Sequence, residues 1–247
     1  MNNKKPIIFA HRGASKVAPE NTISAFSKAI EMGAGGIELD THLTSDGYLV
    51  VTHDDILGRT CNGTGLVMEH DLKYLKGLDF GGWFSEEFEG ERIPLLSDVF
   101  ELLNERDMVL NIEIKATPGQ YIKGIEDEVA KMIKSFSFVE KTIVSSFNHH
   151  VLINLKRNNP DINIAPLYGS GVFAYIGEYA KKIRASAIHP SFKTIIPDVI
   201  ESCREHDIKI NTWTIDDEND IIHARQMGIH GIITNVPDKA LAVLKDK

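Results

Sequence analysis

Eight short runs rich in β-branched residues recur along the chain, and stretches with helical periodicity separate most of them. Because strands joined by helices pair in parallel, this alternation predicts an α/β fold, a (β/α)8 TIM barrel. A doubly wound open sheet is the alternative. The predicted strands are Pro6–Ala10, Gly36–His42, Met108–Lys115, Thr142–Ser146, Asn163–Tyr168, Ser186–His189, Ile208–Thr214 and Gly231–Thr234. The predicted helices are Thr22–Met32, Gln120–Phe136, Val151–Asn158, Tyr175–Ile183, Pro197–His206, Asp217–Met227 and Pro237–Lys245.

Two segments interrupt the alternation. Asp46-Gly47 separates the second strand from a further extended run, Tyr48–Thr52, and this dipeptide is typical of a two-residue hairpin turn. Such a turn would place His53 opposite Asp40, on the same face of the ribbon. The second interruption, Asp55–Pro94, is long and rich in glycine and aromatic residues. We interpret it as a small cap over a site, or equally as a surface excursion that covers barrel core. We therefore predict one domain, 1–247, with an insertion at 55–94.

Composition narrows the class of protein. Hydrophobic residues make up 43% of the 247 residues and charged residues 25%, which is ordinary for a globular protein and excludes wholesale disorder. The formal net charge of -8 disfavours nucleic acid as a partner, because a duplex-binding protein normally carries a basic surface. Cys61 and Cys203 form no CxxC pair, so neither a zinc-thiolate site nor a disulfide framework is expected. No run has the length of a membrane span or a secretory signal, and we expect a cytoplasmic protein without stable membrane insertion.

Unusual polar residues gather at the ends of the predicted strands. Side chains alternate along a strand, so Glu38 and Asp40 share a face, as do Glu113 and Lys115. In a parallel barrel these ends meet at one rim, where active sites are built. Four charged termini at neighbouring positions are hard to explain as solvation alone. The four groups are His11-Arg12-Gly13, Glu38-Leu39-Asp40, His53-Asp54 and Glu113-Ile114-Lys115.

The residue types on this rim indicate phosphoryl chemistry. Three carboxylates without a thiolate form a hard oxygen site, which suits one divalent cation, Mg²⁺ or Ca²⁺. Arg12 and Lys115 beside such a cation favour an anionic phosphate ester. Two histidines, His11 and His53, can then serve as general acid and general base, a combination that suits phosphodiester cleavage. His42 shares the face of Asp40 but lies further along the hairpin, and we interpret it as structural.

These residues closely resemble the signature of the glycerophosphodiester phosphodiesterase family, over nearly the whole chain. The blocks that carry the resemblance are His11-Arg12-Gly13, Pro19-Glu20-Asn21-Thr22, Glu38-Leu39-Asp40, His53-Asp54, Ile93-Pro94-Leu95, Glu113-Ile114-Lys115, Ser145-Ser146-Phe147, Trp213-Thr214 and Gly231-Ile232-Ile233-Thr234. One departure is Asn235, where the family usually carries Asp. We interpret that position as a rim contact outside the catalytic set.

The resemblance implies a (β/α)8 barrel that hydrolyses glycerophosphodiesters to glycerol 3-phosphate and an alcohol, through a cyclic phosphate. It makes Glu38, Asp40 and Glu113 the metal ligands. His11 and His53 match the acid–base pair, and Arg12 and Lys115 match the cations that contact phosphate. Asn21 and Trp213 resemble further pocket residues, although Asn21 could instead cap the following helix and Trp213 could instead belong to the core.

Two rival functions stay open at this stage. A bacterial phosphatidylinositol phospholipase C has a similar two-histidine layout, but it must meet a bilayer, and no amphipathic stretch suited to that is visible. A catalytically silent phosphodiester sensor on the same barrel is the rival of a different class. Such a protein should have lost a histidine or a carboxylate of the set, and none is missing. The alcohol head group, the physiological cation and the oligomeric state do not follow from the sequence.

Overall fold

Eight parallel strands close into a barrel in the computed structural model, which describes residues 5–116, 122–171 and 175–245. The barrel closes because β1 pairs with β2 on one side and with β9 on the other. A ninth strand, β3, lies antiparallel to β2 outside the barrel wall. The strands are β1 Ile7–His11, β2 Gly36–Leu43, β3 Leu49–Val51, β4 Val109–Ile114, β5 Thr142–Ser146, β6 Asn163–Tyr168, β7 Ala187–Pro190, β8 Lys209–Thr212 and β9 Gly231–Thr234. The predicted TIM barrel is confirmed, and the open sheet is excluded.

Helices follow the barrel strands and pack their apolar stripes on the outside of the sheet. Helix α4 begins later than predicted, because Gly124 at its N-cap has a left-handed φ of 97°. Gln120 and residue 121, which the prediction included, lie outside the described residues. The helices are α1 Ile23–Glu31, α2 Leu72–Gly77, α3 Leu96–Leu103, α4 Ile125–Ser135, α5 His149–Asn158, α6 Ile176–Lys182, α7 Pro197–Glu205, α8 Glu218–Gln226 and α9 Pro237–Lys245. Within these described ranges, no helix is both long and apolar enough to cross a bilayer.

The hairpin between β2 and β3 has a different register from the predicted one. Its loop is three residues long, 45–47, because Thr44 pairs with Tyr48 and Gly47 lies at φ 88°. The insertion fixes this loop, since the Ser45 amide donates to the His70 carbonyl and the Leu72 amide donates to Asp46 Oδ1. The predicted two-residue turn is therefore wrong.

In the observed register, a different residue lies opposite Asp40. The amide of Thr52, rather than that of His53, donates to the Asp40 carbonyl at 3.1 Å. His53 lies beyond the end of β3, where the chain leaves the ribbon. The predicted pairing of His53 with Asp40 across the ribbon is wrong, although His53 still approaches the Asp40 carboxylate from the following loop.

The insertion packs against Val50 of β3 in a small hydrophobic cluster that is distinct from the main core. Helix α2 contributes Leu75 to it, and a short 3-10 turn at Val67–Glu69 contributes Val67; a second 3-10 turn lies at Glu86–Phe88. Glu91 accepts a hydrogen bond of 2.7 Å from the Ser24 hydroxyl and so attaches the insertion to α1. The cluster consists of Val50, Leu57, Cys61, Val67, Leu75, Phe80 and Ile93.

Candidate functional site

Three buried carboxylates form the centre of the rim at the carboxyl ends of the strands. Glu38 and Asp40 project inward from β2, and Glu113 projects inward from β4 because Asp40 and Glu113 are register partners. One ligand oxygen from each carboxylate lies within 4.8 Å of the others. Oxygen atoms so close together are suited to a hard divalent cation.

The electrostatics of this cluster also favour a cation. Burial and the neighbouring Asp40 raise the pKa of Glu113 to about 7. Burial and the neighbouring carboxylates also raise the pKa of Glu38 well above its usual value. Although burial opposes ionisation of Asp40, Lys115 and Arg12 hold the pKa of Asp40 well below its usual range. A cation would offset the repulsion among the three carboxylates that raises these two pKa values, so the residues present fit a divalent metal.

Arg12 and Lys115 border the carboxylates. Lys115 Nζ lies 2.9 Å from Glu113 Oε1 and 3.6 Å from Asp40 Oδ1. Arg12 Nε lies 3.4 Å from Asp40 Oδ2, and its backbone amide donates to Glu38. Arg12 adopts a left-handed φ of 58°, and Gly13 follows at 84° where a Cβ would lie 2.7 Å from Ala25. The tight turn therefore requires glycine and aims the guanidinium into the site.

His11 is held by a neutral amide. Its Nδ1 lies 2.7 Å from Asn235 Oδ1, and because that oxygen only accepts, Nδ1 carries the proton and Nε2 has a free lone pair. Asn235 is oriented in turn by its Nδ2, which donates to Asp216 Oδ2 at 2.7 Å. Burial and the charge of Arg12 lower the pKa of His11 to about 4, so the imidazole is neutral near pH 7. Nε2 lies 3.9 Å from Glu38 Oε2, beside the carboxylate cluster.

His53 is held by a carboxylate. Its Nδ1 lies 2.6 Å from Asp54 Oδ1, which leaves Nε2 free for the site. The backbone carbonyl of His53 lies 3.2 Å from His42 Nε2, and His42 Nδ1 lies 3.6 Å from Asp55. The charge of His53 helps to lower the pKa of Asp40, so the imidazole and the cluster interact. His42 therefore anchors the loop that carries His53.

Asn21 and Trp213 occupy different surroundings. Asn21 is buried and contacts Asp40 twice, since its Nδ2 donates to Oδ2 at 2.9 Å and its Oδ1 accepts from the Asp40 amide at 3.3 Å. The alternative that Asn21 caps the following helix is wrong, because Thr22 is the N-cap of α1. Trp213 is half-buried at the rim and donates its Nε1–H to the His189 carbonyl at 2.8 Å. Its ring meets Phe147 edge to face, with centroids 5.7 Å apart.

Sequence reasoning missed two residues that contact site residues directly, Asn235 and Glu20, and a third, Arg59, that reaches them through a carboxylate. Asn235 was expected to be a peripheral rim contact, yet it is the hydrogen-bond partner of His11. Glu20 accepts from Arg12 Nη1 at 2.8 Å, and Arg59 from the insertion contacts both Glu20 and Asp54. The position of Glu20 inside the Pro19–Thr22 block was the available signal, whereas nothing in the sequence pattern singled out Arg59.

An open cavity of about 630 Å³ lies beside Glu113 and Lys115. Its walls come from the loop after β5, which includes Phe147, from the start of α5, which includes His150, and from the end of β4. Glu113 of the cluster and the Lys115 ammonium therefore border a space large enough for a small organic phosphate. Fold and site together define a barrel enzyme whose rim is arranged for an anionic substrate.

Comparisons with known proteins identify the family. Residues 11–239 match the glycerophosphoryl diester phosphodiesterase family. A glycerophosphodiester phosphodiesterase of Caldanaerobacter subterraneus subsp. tengcongensis is 43% identical over 98% of both chains. A glycerophosphodiester phosphodiesterase of Bacillus altitudinis is 37% identical over 97% of this chain and 98% of the relative. The chain belongs to this family, and it is a phosphoric diester hydrolase.

Solved structures agree with that assignment. A phosphodiesterase of Oleispira antarctica, in complex with the product sn-glycerol-3-phosphate, has a TM-score of 0.88 at 28% identity and 97% coverage of both chains. A glycerophosphodiester phosphodiesterase of Thermotoga maritima has a TM-score of 0.80 at 29% identity and 99% coverage of both chains. The barrel described above is therefore the fold of known members of the family.

Proposed function

We propose that this enzyme hydrolyses glycerophosphodiesters to sn-glycerol 3-phosphate and an alcohol, with one divalent cation, Mg²⁺ or Ca²⁺, and two histidines. The observation that carries the proposal is the pair of imidazoles beside the carboxylate cluster, each with Nδ1 fixed and Nε2 free. The product complex of the Oleispira antarctica relative supports glycerol 3-phosphate as the product. The substrate is a small molecule, and no nucleic acid or membrane partner is invoked.

Glu38, Asp40 and Glu113 are the residues that would hold the cation. When bound there, a divalent cation neutralises charge on the phosphate oxygens. Arg12 and Lys115 hold the phosphate and stabilise the negative charge that grows on it in the transition state. Asn21 acts on Asp40, which it orients through side chain and backbone. Trp213 offers the half-buried face of an indole to the carbons of the glycerol.

The different partners of the two histidines support different roles for them. His11, neutral near pH 7 and held by an amide, accepts the proton of the free glycerol hydroxyl as that oxygen attacks phosphorus. His53, whose Nδ1 the Asp54 carboxylate holds in place, donates a proton from Nε2 to the departing alcohol oxygen. A cyclic phosphate results, and water opens it with the two roles reversed.

We further propose that residues 55–94 act as a cap on a single domain of residues 1–247. The contacts of Arg59 with Glu20 and Asp54 support this proposal, because they bring the insertion to the edge of the site. A cap beside the histidines can restrict which head groups enter. Cytoplasmic location stays a prediction from the sequence, which fractionation of producing cells would test.

Release of glycerol 3-phosphate from a panel of glycerophosphodiesters tests the proposal. The panel carries choline, ethanolamine, glycerol and inositol head groups, and each is assayed after chelation and after addition of Mg²⁺ or Ca²⁺. We expect activity that disappears with EDTA and returns with one of the cations. Full activity after verified removal of metal would refute the cation site. Phosphatidylinositol is assayed beside the panel: its cleavage without cleavage of any panel member would favour the phospholipase C, and binding without turnover would favour the sensor.

A further inference from the structure

Arg59 of the insertion uses all three of its side-chain nitrogens on two carboxylates near the site. Nε donates to Asp54 Oδ2 at 2.6 Å, and Nη1 and Nη2 donate to the two oxygens of Glu20 at 3.0 and 2.7 Å. The second contact is a bidentate pair, whose geometry lysine cannot reproduce. Arg59 is thus the bridge between two carboxylates that belong to different loops of the barrel.

Each of these carboxylates also contacts a residue of the proposed machinery. The other oxygen of Asp54 accepts from His53 Nδ1 at 2.6 Å. Glu20 Oε1 accepts from Arg12 Nη1 at 2.8 Å as well as from Arg59. A continuous set of charge-assisted hydrogen bonds therefore runs from His53 through Asp54, Arg59 and Glu20 to Arg12.

The charges along this path support one another. Although burial would raise the pKa of Glu20, hydrogen bonds from Arg59 and the charge of Arg12 hold it below its usual value. Burial likewise opposes ionisation of Asp54, yet hydrogen bonds from Arg59 and His53 lower the pKa of Asp54. Both carboxylates stay ionised near neutral pH and so act as fixed acceptors.

We propose that Arg59 is a positioning residue, which holds the His53 ring through Asp54 and the Arg12 guanidinium through Glu20. This inference rests on the proposed function, because that function requires the His53 ring and the Arg12 guanidinium to be held in fixed orientations. An isolated surface ion pair contributes little, and the Arg59 side chain is 47% exposed. Here two partly buried carboxylates share the guanidinium, and each is already committed to a residue of the site. The insertion therefore sets the geometry of the site besides bordering it.

The contacts of Arg59 with Asp54 and with Glu20 should have different effects on the steady-state kinetic constants. Asp54→Asn weakens the hold on His53, so we expect mainly kcat to fall, by roughly 10–100-fold as for other supporting groups. Glu20→Gln loosens Arg12, so we expect mainly KM to rise. Arg59→Gln should produce both effects. In the Asp54→Asn background, the further loss of kcat from Arg59→Gln should shrink to within about threefold, because neighbours in one network are not additive.

Arg92→Ala is the matched control. Arg92 is another arginine of the insertion, and its Nη1 contacts the carbonyls of Gly77 and Leu78, inside the insertion itself. We expect its kinetic constants to stay within about twofold of the wild type, since its contacts do not reach the rim. If Arg59→Gln fails to fold, Arg59→Lys replaces it, because it keeps the charge but cannot serve both carboxylates at once.

A spectroscopic measurement separates positioning from a general structural effect. In the cation-loaded protein without substrate, at an alkaline pH where the imidazole is neutral, ¹⁵N shifts of the His53 ring should report a single tautomer protonated at Nδ1. Arg59→Gln should convert this signal to a mixture of tautomers, and Arg92→Ala should leave it unchanged. A retained single tautomer, unchanged kinetics or full additivity with Asp54→Asn would each overturn the proposal.

The outcomes also distinguish this inference from the proposed function. If the wild type releases no glycerol 3-phosphate from any diester, the proposed function fails, and the tautomer measurement alone decides the role of Arg59. If the wild type is active and the tautomer is insensitive to Arg59→Gln, the positioning role fails and the proposed function stands.

Discussion

Without a bound cation, the ionised Glu113 carboxylate should destabilise the folded protein near neutral pH, and Glu113→Gln should relieve this cost. Burial and Asp40 raise the pKa of Glu113 from 4.5 to about 7. The stability contributed by a group with a raised pKa is complete below pH 4.5 and is lost as the pH rises through 7. A shift of this size corresponds to about 3 kcal/mol at pH 7.5, and to less than about 1 kcal/mol at pH 5.

Thermal unfolding of the chelated wild type and the chelated Glu113→Gln variant, at pH 5 and pH 7.5, measures this effect. Burial lowers the pKa of His11 and of His189, and these histidines make stability rise with pH in part of the same range. The difference in Tm between the two proteins at each pH excludes the contribution of these histidines, because both proteins contain them. About 3 kcal/mol corresponds to a Tm difference of roughly 6–12 °C for a chain of this size, with the variant the more stable at pH 7.5.

Addition of Mg²⁺ or Ca²⁺ should reverse the order at pH 7.5, because the cation stabilises the three carboxylates and the amide is a poorer ligand. Glu87→Gln, which changes an exposed glutamate of the insertion, should show neither difference. Equal Tm values for chelated wild type and Glu113→Gln at pH 7.5 would refute the reasoning, because the buried charge would then cost nothing.

Three further predictions follow from the same site. His53→Ala should lower kcat about 10²–10⁴-fold on an alkyl diester, and its activity should largely recover on a nitrophenyl ester, whose leaving group needs no acid. His11→Ala should lose activity on both substrates. Equal losses for the two variants on both substrates would contradict the assigned roles. Shortening 55–94 should change head-group preference or raise KM while the barrel still folds, and unchanged kinetics across the panel would leave only a surface excursion. Asn21→Leu should weaken cation affinity roughly 10–100-fold in calorimetric titration, because Asp40 loses its orienting amide, and unaltered affinity would contradict that.

Much of the fold could be predicted because its signals are local. Runs such as Thr142–Ser146 and Gly231–Thr234 have the predicted bounds, since turn residues and helical periodicity mark both ends. The hairpin register could not be predicted from Asp46-Gly47 alone. Contacts with His70 and Leu72, which lie more than twenty positions along the chain, determine the loop length.

The candidate site could likewise be predicted only where its signals are local or follow from the fold. Alternation along a strand places Glu38 beside Asp40, and the closure of a barrel brings Glu113 to the same rim. The orientation of His11 could not be predicted, because it depends on a contact between distant parts of the chain. Asn235 meets His11 across 224 positions, and no periodicity relates the two.

The side-chain amide of Asn235 suits its two hydrogen-bond partners, His11 and Asp216. Exchanging the residues at positions 235 and 216 tests this. The Asn235 side chain accepts from His11 and donates to Asp216 at 2.7 Å. A carboxylate at position 235 would face the Asp216 carboxylate at that distance, and two like charges so close cannot both ionise freely. Asn235→Asp alone should therefore lower both kcat and the midpoint of thermal unfolding.

Adding Asp216→Asn should restore much of the loss, because the new amide can donate to the carboxylate at position 235 and still accept from the Asn235 backbone amide and from Thr234. In this exchanged protein, Nδ1 of His11 donates to a carboxylate, which should raise the pKa of His11 from about 4. Since the neutral imidazole is the base, activity should then fall at a higher pH on the acidic side. Profiles of kcat/KM between pH 4 and 8 measure that shift, with Asp216→Asn alone as the second single variant. If the exchanged protein is no better than either single variant, Asp216 does not orient Asn235; an unmoved acidic limb would mean that His11 is not the base.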